Sequence, residues 1–128
     1  DEEFTKKYGA PADYIKANGE KAFRDAESAV IRDICEHTTG AVISTGGGAI
    51  LREENVIRLR HNGKVYFIDR DIDLIVPTSD RPLSSDRELL KKRYEERYGI
   101  YKGTCDVHVK NNTTAEDAVK TITEDFTK

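Results

Sequence analysis

The sequence predicts an α/β fold, a mostly parallel sheet flanked by helices, and three observations carry that expectation. Short β-prone runs at 41–45, 65–68 and 107–109 are separated by longer stretches with helical spacing of apolar residues. Strands that alternate with helices build parallel sheets through crossover connections. The first run ends in Gly46-Gly47-Gly48, and ligands of open parallel sheets bind beyond the carboxyl ends of the strands. With 128 residues, of which 37% are hydrophobic, the chain suits a single domain, 1–128, with a modest core.

From about 13 to 37 the apolar residues Tyr14, Ile15, Ala22, Phe23, Ala26, Val30, Ile31 and Ile34 follow the helical period, with a break at Asn18-Gly19, so two helices are expected. Ala41-Val42-Ile43-Ser44-Thr45 reads as a short buried parallel strand, entered from Thr39-Gly40. Residues 53–60 read as a helix, Asn62-Gly63 as a turn, and Val65-Tyr66-Phe67-Ile68 as a second buried strand. Ile72, Leu74, Ile75 and Val76 suggest a short helix stopped by Pro77, with a polar, mobile loop after it. Residues 87–98 form a highly charged helix and Val107-His108-Val109 a last strand. An amphipathic helix over 114–126 follows, capped by Thr113 or Thr114.

Composition removes several classes of function. The longest apolar runs fall far short of the roughly 20 residues that span a bilayer, and no basic and apolar leader opens the chain. A net charge of −3 with a pI near 5.7 gives no long-range attraction to nucleic acid. Cys35 and Cys105 are too far apart for a Cys-x-x-Cys pattern and too few for a disulfide scaffold, so both are expected as reduced thiols in the cytoplasm. His37, His61 and His108 show no metal-ligand spacing.

Chemistry is expected in four places. Glycines in succession let backbone N–H groups approach a carboxylate or hydroxyl with no Cβ between them; a flexible turn is the alternative, but a simple loop rarely needs three glycines together. Arg24 stands three residues before Glu27, which can fix its guanidinium for a carboxylate; taken alone, the pair reads as a surface ion pair. Arg81, in Asp80-Arg81-Pro82, is a loop cation able to fold over a transferring phosphate. Arg93 and Arg97 share a helix face, for which simple solvation is the ordinary reading.

Taken together, Gly19-Glu20-x-x-Phe23-Arg24-x-x-Glu27, Ser44-Thr45-Gly46-Gly47-Gly48, Arg81-Pro82-Leu83 and Arg97-x-x-x-Tyr101 resemble shikimate kinase in order and spacing. The resemblance covers essentially the whole chain and is similar to the clostridial type, with a lid at about 77–88. It implies a P-loop, nucleoside-monophosphate-kinase-like sheet and transfer of the γ-phosphoryl of ATP, with magnesium, to the 3-hydroxyl of shikimate. It also implies roles for individual residues. Asp1 would orient or deprotonate the acceptor hydroxyl, Arg24 and Arg97 would hold its carboxylate, Gly46, Gly47 and Gly48 would contact it through backbone, and Arg81 would cover the ATP phosphates. The match at Asp1 counts eight residues back from Gly9 and takes a one-residue shortening between Gly9 and Gly19.

Two departures qualify the resemblance. Val76 and Pro77 stand where many members carry a further lid arginine, and no Gly-x-x-x-x-Gly-Lys-Ser/Thr occurs in the sequence. The expected fold therefore lacks a first strand, a P-loop and a first helix, about 30 residues by the size of a strand–helix–strand unit. An N-terminal segment or another chain would complete the sheet, and the chain alone is expected to be inactive. The rival readings are a gluconate-kinase-like enzyme and a non-catalytic acceptor-binding module.

Overall fold

Helix spacing in the first half and strand pairing in the second give two compact units, residues Asp1–Gly63 and Lys64–Lys128. The computed structural model describes residues 1–75 and 87–128. The expected lid therefore lies outside the described residues over 77–86, as do Pro77 and Arg81.

In the first unit, α1 (Glu2–Tyr8), α2 (Pro11–Asn18) and α3 (Glu20–His37) pack around one aromatic cluster. Phe4 lies 5.0 Å from Phe23 and 5.5 Å from Tyr14 between ring centroids, the latter edge to face. Such pairs add about 0.5–1.5 kcal/mol each beyond the area they bury. The buried residues Phe23, Ala26 and Val30 follow one stripe of α3, as the period predicts. The break expected at Asn18-Gly19 is present: Gly19, at φ 90°, ends α2 and precedes α3 in a backbone region that other residues enter only at a cost. Helix α1 was not legible in the sequence, being seven residues long with Phe4 as its single buried side chain.

A 3-10 turn at Ala49–Leu51 leads into α4 (Glu53–His61), which packs on α3. The strand expected at 41–45 is not formed. Val42 is fully exposed and Ile43 more than a third exposed, and no described segment pairs with this run. A strand is held by its neighbour's backbone groups, so a β-prone run without one stays solvated.

The second unit contains β1 (Tyr66–Asp69) and β2 (Val107–Lys110), parallel and in register from Tyr66↔Val107 to Asp69↔Lys110. They are connected through α5 (Arg87–Thr104), as a parallel pair requires. Both strands fall within one residue of the sequence expectation, whereas α5 runs six residues further than expected. In place of the short helix near 70–76 stands a single 3-10 turn, Ile72–Leu74. Helix α6 (Ala115–Phe126) closes the chain. Thr114 is its cap, accepting from the Asp117 N–H at 3.1 Å, while the Thr113 hydroxyl donates to the Asp117 carboxylate at 2.7 Å.

Candidate active site

Arg24 occupies the second turn of α3, where Nη1 donates to Glu27 Oε1 at 2.8 Å and Nη2 lies 3.9 Å from Glu20 Oε1. Both members of the closer pair are largely buried, so the contact escapes most of the screening that weakens surface pairs. The guanidinium also lies 5.1 Å from the Phe23 ring centroid. One carboxylate cannot use five donors, and the remaining N–H groups suit a second planar anion.

The glycine triplet meets that arginine. A Cβ on Gly48 would overlap the Arg24 guanidinium, and one on Gly46 would stand 3.3 Å from Glu27 Oε2. Gly48 has φ −91°, which any residue adopts; glycine is needed there for space alone. The turn after it is tied by Ala49 N–H to Gly46 O and by Leu51 N–H to Gly48 O, both at 3.2 Å. Asn55 of α4, 1% exposed, donates to Ala49 O at 2.8 Å. Arg52 braces the same turn against α3, 2.8 Å from Asp25 and 3.4 Å from the Ser28 hydroxyl. The structure thus brings together Arg24, Glu27, Gly46 and Gly48, and the Arg24–Glu27 pair is no simple surface ion pair. Asn55 and Arg52 escaped sequence reasoning, since a lone amide in a charged helix carries no signal of burial.

Asp1 caps α1 through its carbonyl, which accepts from Thr5 N–H at 2.8 Å; its side chain is exposed and makes no capping bond. Arg97 lies on α5 in the second unit. Of the two arginines four apart on α5, Arg93 is exposed, as the solvated-face reading expects, whereas Arg97 is half-buried. The physical reason is the stripe Tyr94, Arg97, Tyr98, Tyr101, at helical spacing, whose rings pack on β1: Tyr98 and Tyr101 lie 5.9 and 5.1 Å from Phe67. Arg97 is the one cation of that stripe and has no hydrogen-bond or ion-pair partner among the described residues.

A second ionic centre was not foreseen. Asp69, 1% exposed at the end of β1, accepts from Tyr94 Oη at 3.1 Å, His108 Nε2 at 2.9 Å and Lys110 Nζ at 3.0 Å. Burial pushes its carboxyl up, but the bonds from Lys110, His108 and Tyr94 outweigh burial and hold it below the ordinary aspartate value. His108, given no role from the sequence, also stacks on Phe67 at 4.8 Å.

Among the described residues one trio has metal-ligand geometry, Asp33, Glu36 and His37 at the end of α3, and there Asp33 is already 2.5 Å from Lys7. With no P-loop in the sequence, the residues present do not by themselves fit a magnesium–ATP site. No described helix is long and apolar enough to cross a membrane.

A parallel strand pair joined through a helix fits a P-loop kinase-like fold, and solved structures support it. A shikimate kinase from Acinetobacter baumannii in complex with shikimate superposes with a TM-score of 0.85, over 99% of this chain and 76% of that one, at 24% identity. A shikimate kinase from Bacteroides thetaiotaomicron gives 0.84 over 98% and 80%, at 20% identity. The shikimate kinase family model matches residues 1–127, and the chain belongs to that family. The shikimate kinase of Clostridium botulinum (Eklund 17B) is 39% identical over 108 residues, 81% of this chain and 65% of that protein. That of Clostridium beijerinckii is 37% identical over 111 residues, 84% and 65%. The chain thus spans just under two thirds of the length of these clostridial relatives.

Proposed function

We propose that this chain is the acceptor-binding part of an enzyme that transfers the γ-phosphoryl of ATP to the 3-hydroxyl of shikimate in the cytoplasm, in the route to chorismate and the aromatic amino acids. The observation that carries the reading is the Arg24 guanidinium, fixed by Glu27 and seated against Gly48 with donors to spare. A carboxylate there gains bidentate, charge-assisted bonds from a cation whose orientation is already set. Arg97, half-buried on the aromatic stripe of α5, supplies a second guanidinium for the acceptor. Asp1 orients the acceptor hydroxyl or takes its proton, and Arg81 neutralises phosphate charge during transfer. The nucleotide phosphates and magnesium need a P-loop from outside these 128 residues.

A chimera tests this reading. The strand, P-loop and helix of a clostridial relative are joined ahead of Asp1, and ADP release is followed with ATP, magnesium and either shikimate or gluconate. Release that depends on shikimate and disappears in Arg24→Ala is expected. Release driven by gluconate would favour the gluconate-kinase-like reading. No release from a folded chimera that still binds shikimate would favour a non-catalytic module.

A further inference from the structure

The stripe that carries Arg97 is tied to the sheet by a hydrogen bond from Tyr94 to Asp69. Aromatic packing of Tyr98 and Tyr101 on Phe67 is apolar and tolerates small rotations and slides of α5. The bond from Tyr94 Oη to Asp69 does not, because a buried carboxylate accepts along defined directions and is costly to leave short of partners. Asp69 is itself tied to β2 and to the residue after that strand. Its Oδ2 is held by His108 and Lys110 of β2, and its backbone carbonyl accepts from Asn111 N–H at 2.6 Å. Tyr94 and Arg97 are three residues apart, hence neighbours on one helix face.

We propose that Asp69 is a positioning residue for acceptor binding: through Tyr94 it sets the rotation of α5 and so the placement of the Arg97 guanidinium. The inference rests on the proposed role of Arg97 in holding shikimate, and it assigns work to four side chains, Asp69, Tyr94, His108 and Lys110, that the site as described leaves unused. The groups facing the carboxylate are Tyr94 from α5 and His108 and Lys110 from β2. Since these already occupy both oxygens, Asp69 acts through them and not on substrate.

A double-mutant cycle on the full chain separates this role from plain stabilisation. Shikimate affinity is measured by calorimetry for the parent, Tyr94→Phe, Arg97→Ala and the double variant, with circular dichroism confirming that each is folded. Tyr94→Phe keeps the ring and removes only the hydroxyl, so the fold survives. It is expected to weaken shikimate binding about fivefold, the worth of one hydrogen bond, and to have no effect once Arg97 is alanine. Asp69→Asn is expected to show the same dependence on Arg97 with a larger loss. If Arg97→Ala weakens binding while Tyr94→Phe does not, or if Tyr94→Phe weakens it equally in both backgrounds, the positioning role is wrong and the acceptor site stands. If Arg97→Ala leaves the affinity unchanged, the reading of Arg97 fails and this inference fails with it.

Discussion

The two units each hold a charged group away from water, and they treat it in opposite ways. In the second unit Asp69 is saturated, with three side-chain donors on two oxygens and 1% exposure. In the first, Arg24 is held by one close carboxylate and lies against a backbone from which side chains are missing. A saturated buried charge fixes structure, whereas a fixed but under-used one is prepared for a ligand. The contrast separates two sites that a simple tally of ion pairs would rank alike.

The sharpest way to break the comparison is at Arg24. Arg24→Ala is expected to lower shikimate affinity about 100-fold, the loss of a desolvated charge-assisted pair. It also leaves the largely buried Glu27 without its close partner, so a fall in melting temperature is expected beside the loss of binding. Calorimetric titration and thermal denaturation of the same sample check both halves.

Asp69→Asn should cost stability first, with a smaller loss of affinity than at Arg24. Removing one charge from a buried network is expected to cost about 2–3 kcal/mol, a fall of roughly 10 °C or more in a unit of this size. The acid dependence has a definite sign. The folded carboxyl titrates below its ordinary value, so its contribution is present above the unfolded pKa of about 3.9 and is lost as pH falls through the lower folded value. Unfolding followed from pH 6 to pH 2 should therefore show a shallower acid decline in Asp69→Asn than in the parent.

The smallest effect is expected away from both centres. Thr114→Ala removes the hydroxyl that accepts from Asp117 N–H and should cost about 1 kcal/mol, the usual worth of a helix cap. Shikimate affinity should stay unchanged, which urea denaturation and titration together can establish.

How much of this was legible in the sequence follows from how local each feature is. The stripe Phe23, Ala26, Val30 and the Arg24–Glu27 spacing are properties of one helix, and both were read in advance. The second and third strands were located within a residue because short β-prone runs mark them, although each strand continues through the polar residue that ends its run, Asp69 and Lys110. The run at 41–45 misled, because apolar composition reports a tendency to pair and says nothing of whether a neighbour is present. The Asp69 centre draws on positions 69, 94, 108 and 110, and only the parallel register places Lys110 opposite Asp69. The splitting of Arg93 from Arg97 likewise depends on where the tyrosine stripe lands. The glycine triplet was recognised as a place of close approach, but that Arg24 itself is what approaches Gly48 came only from the structure.

The central claim, that Gly48 is glycine so that Arg24 can present its guanidinium to a carboxylate, is tested most directly by titrating the chain and its Gly48→Ala variant with shikimate, with gluconate as control. The added methyl would overlap the guanidinium, so binding specific to shikimate in the parent and weakened at least tenfold in the variant, with the variant still folded, is the expected result. Equal shikimate affinity in the two proteins, or no preference for shikimate over gluconate in the parent, would contradict the account.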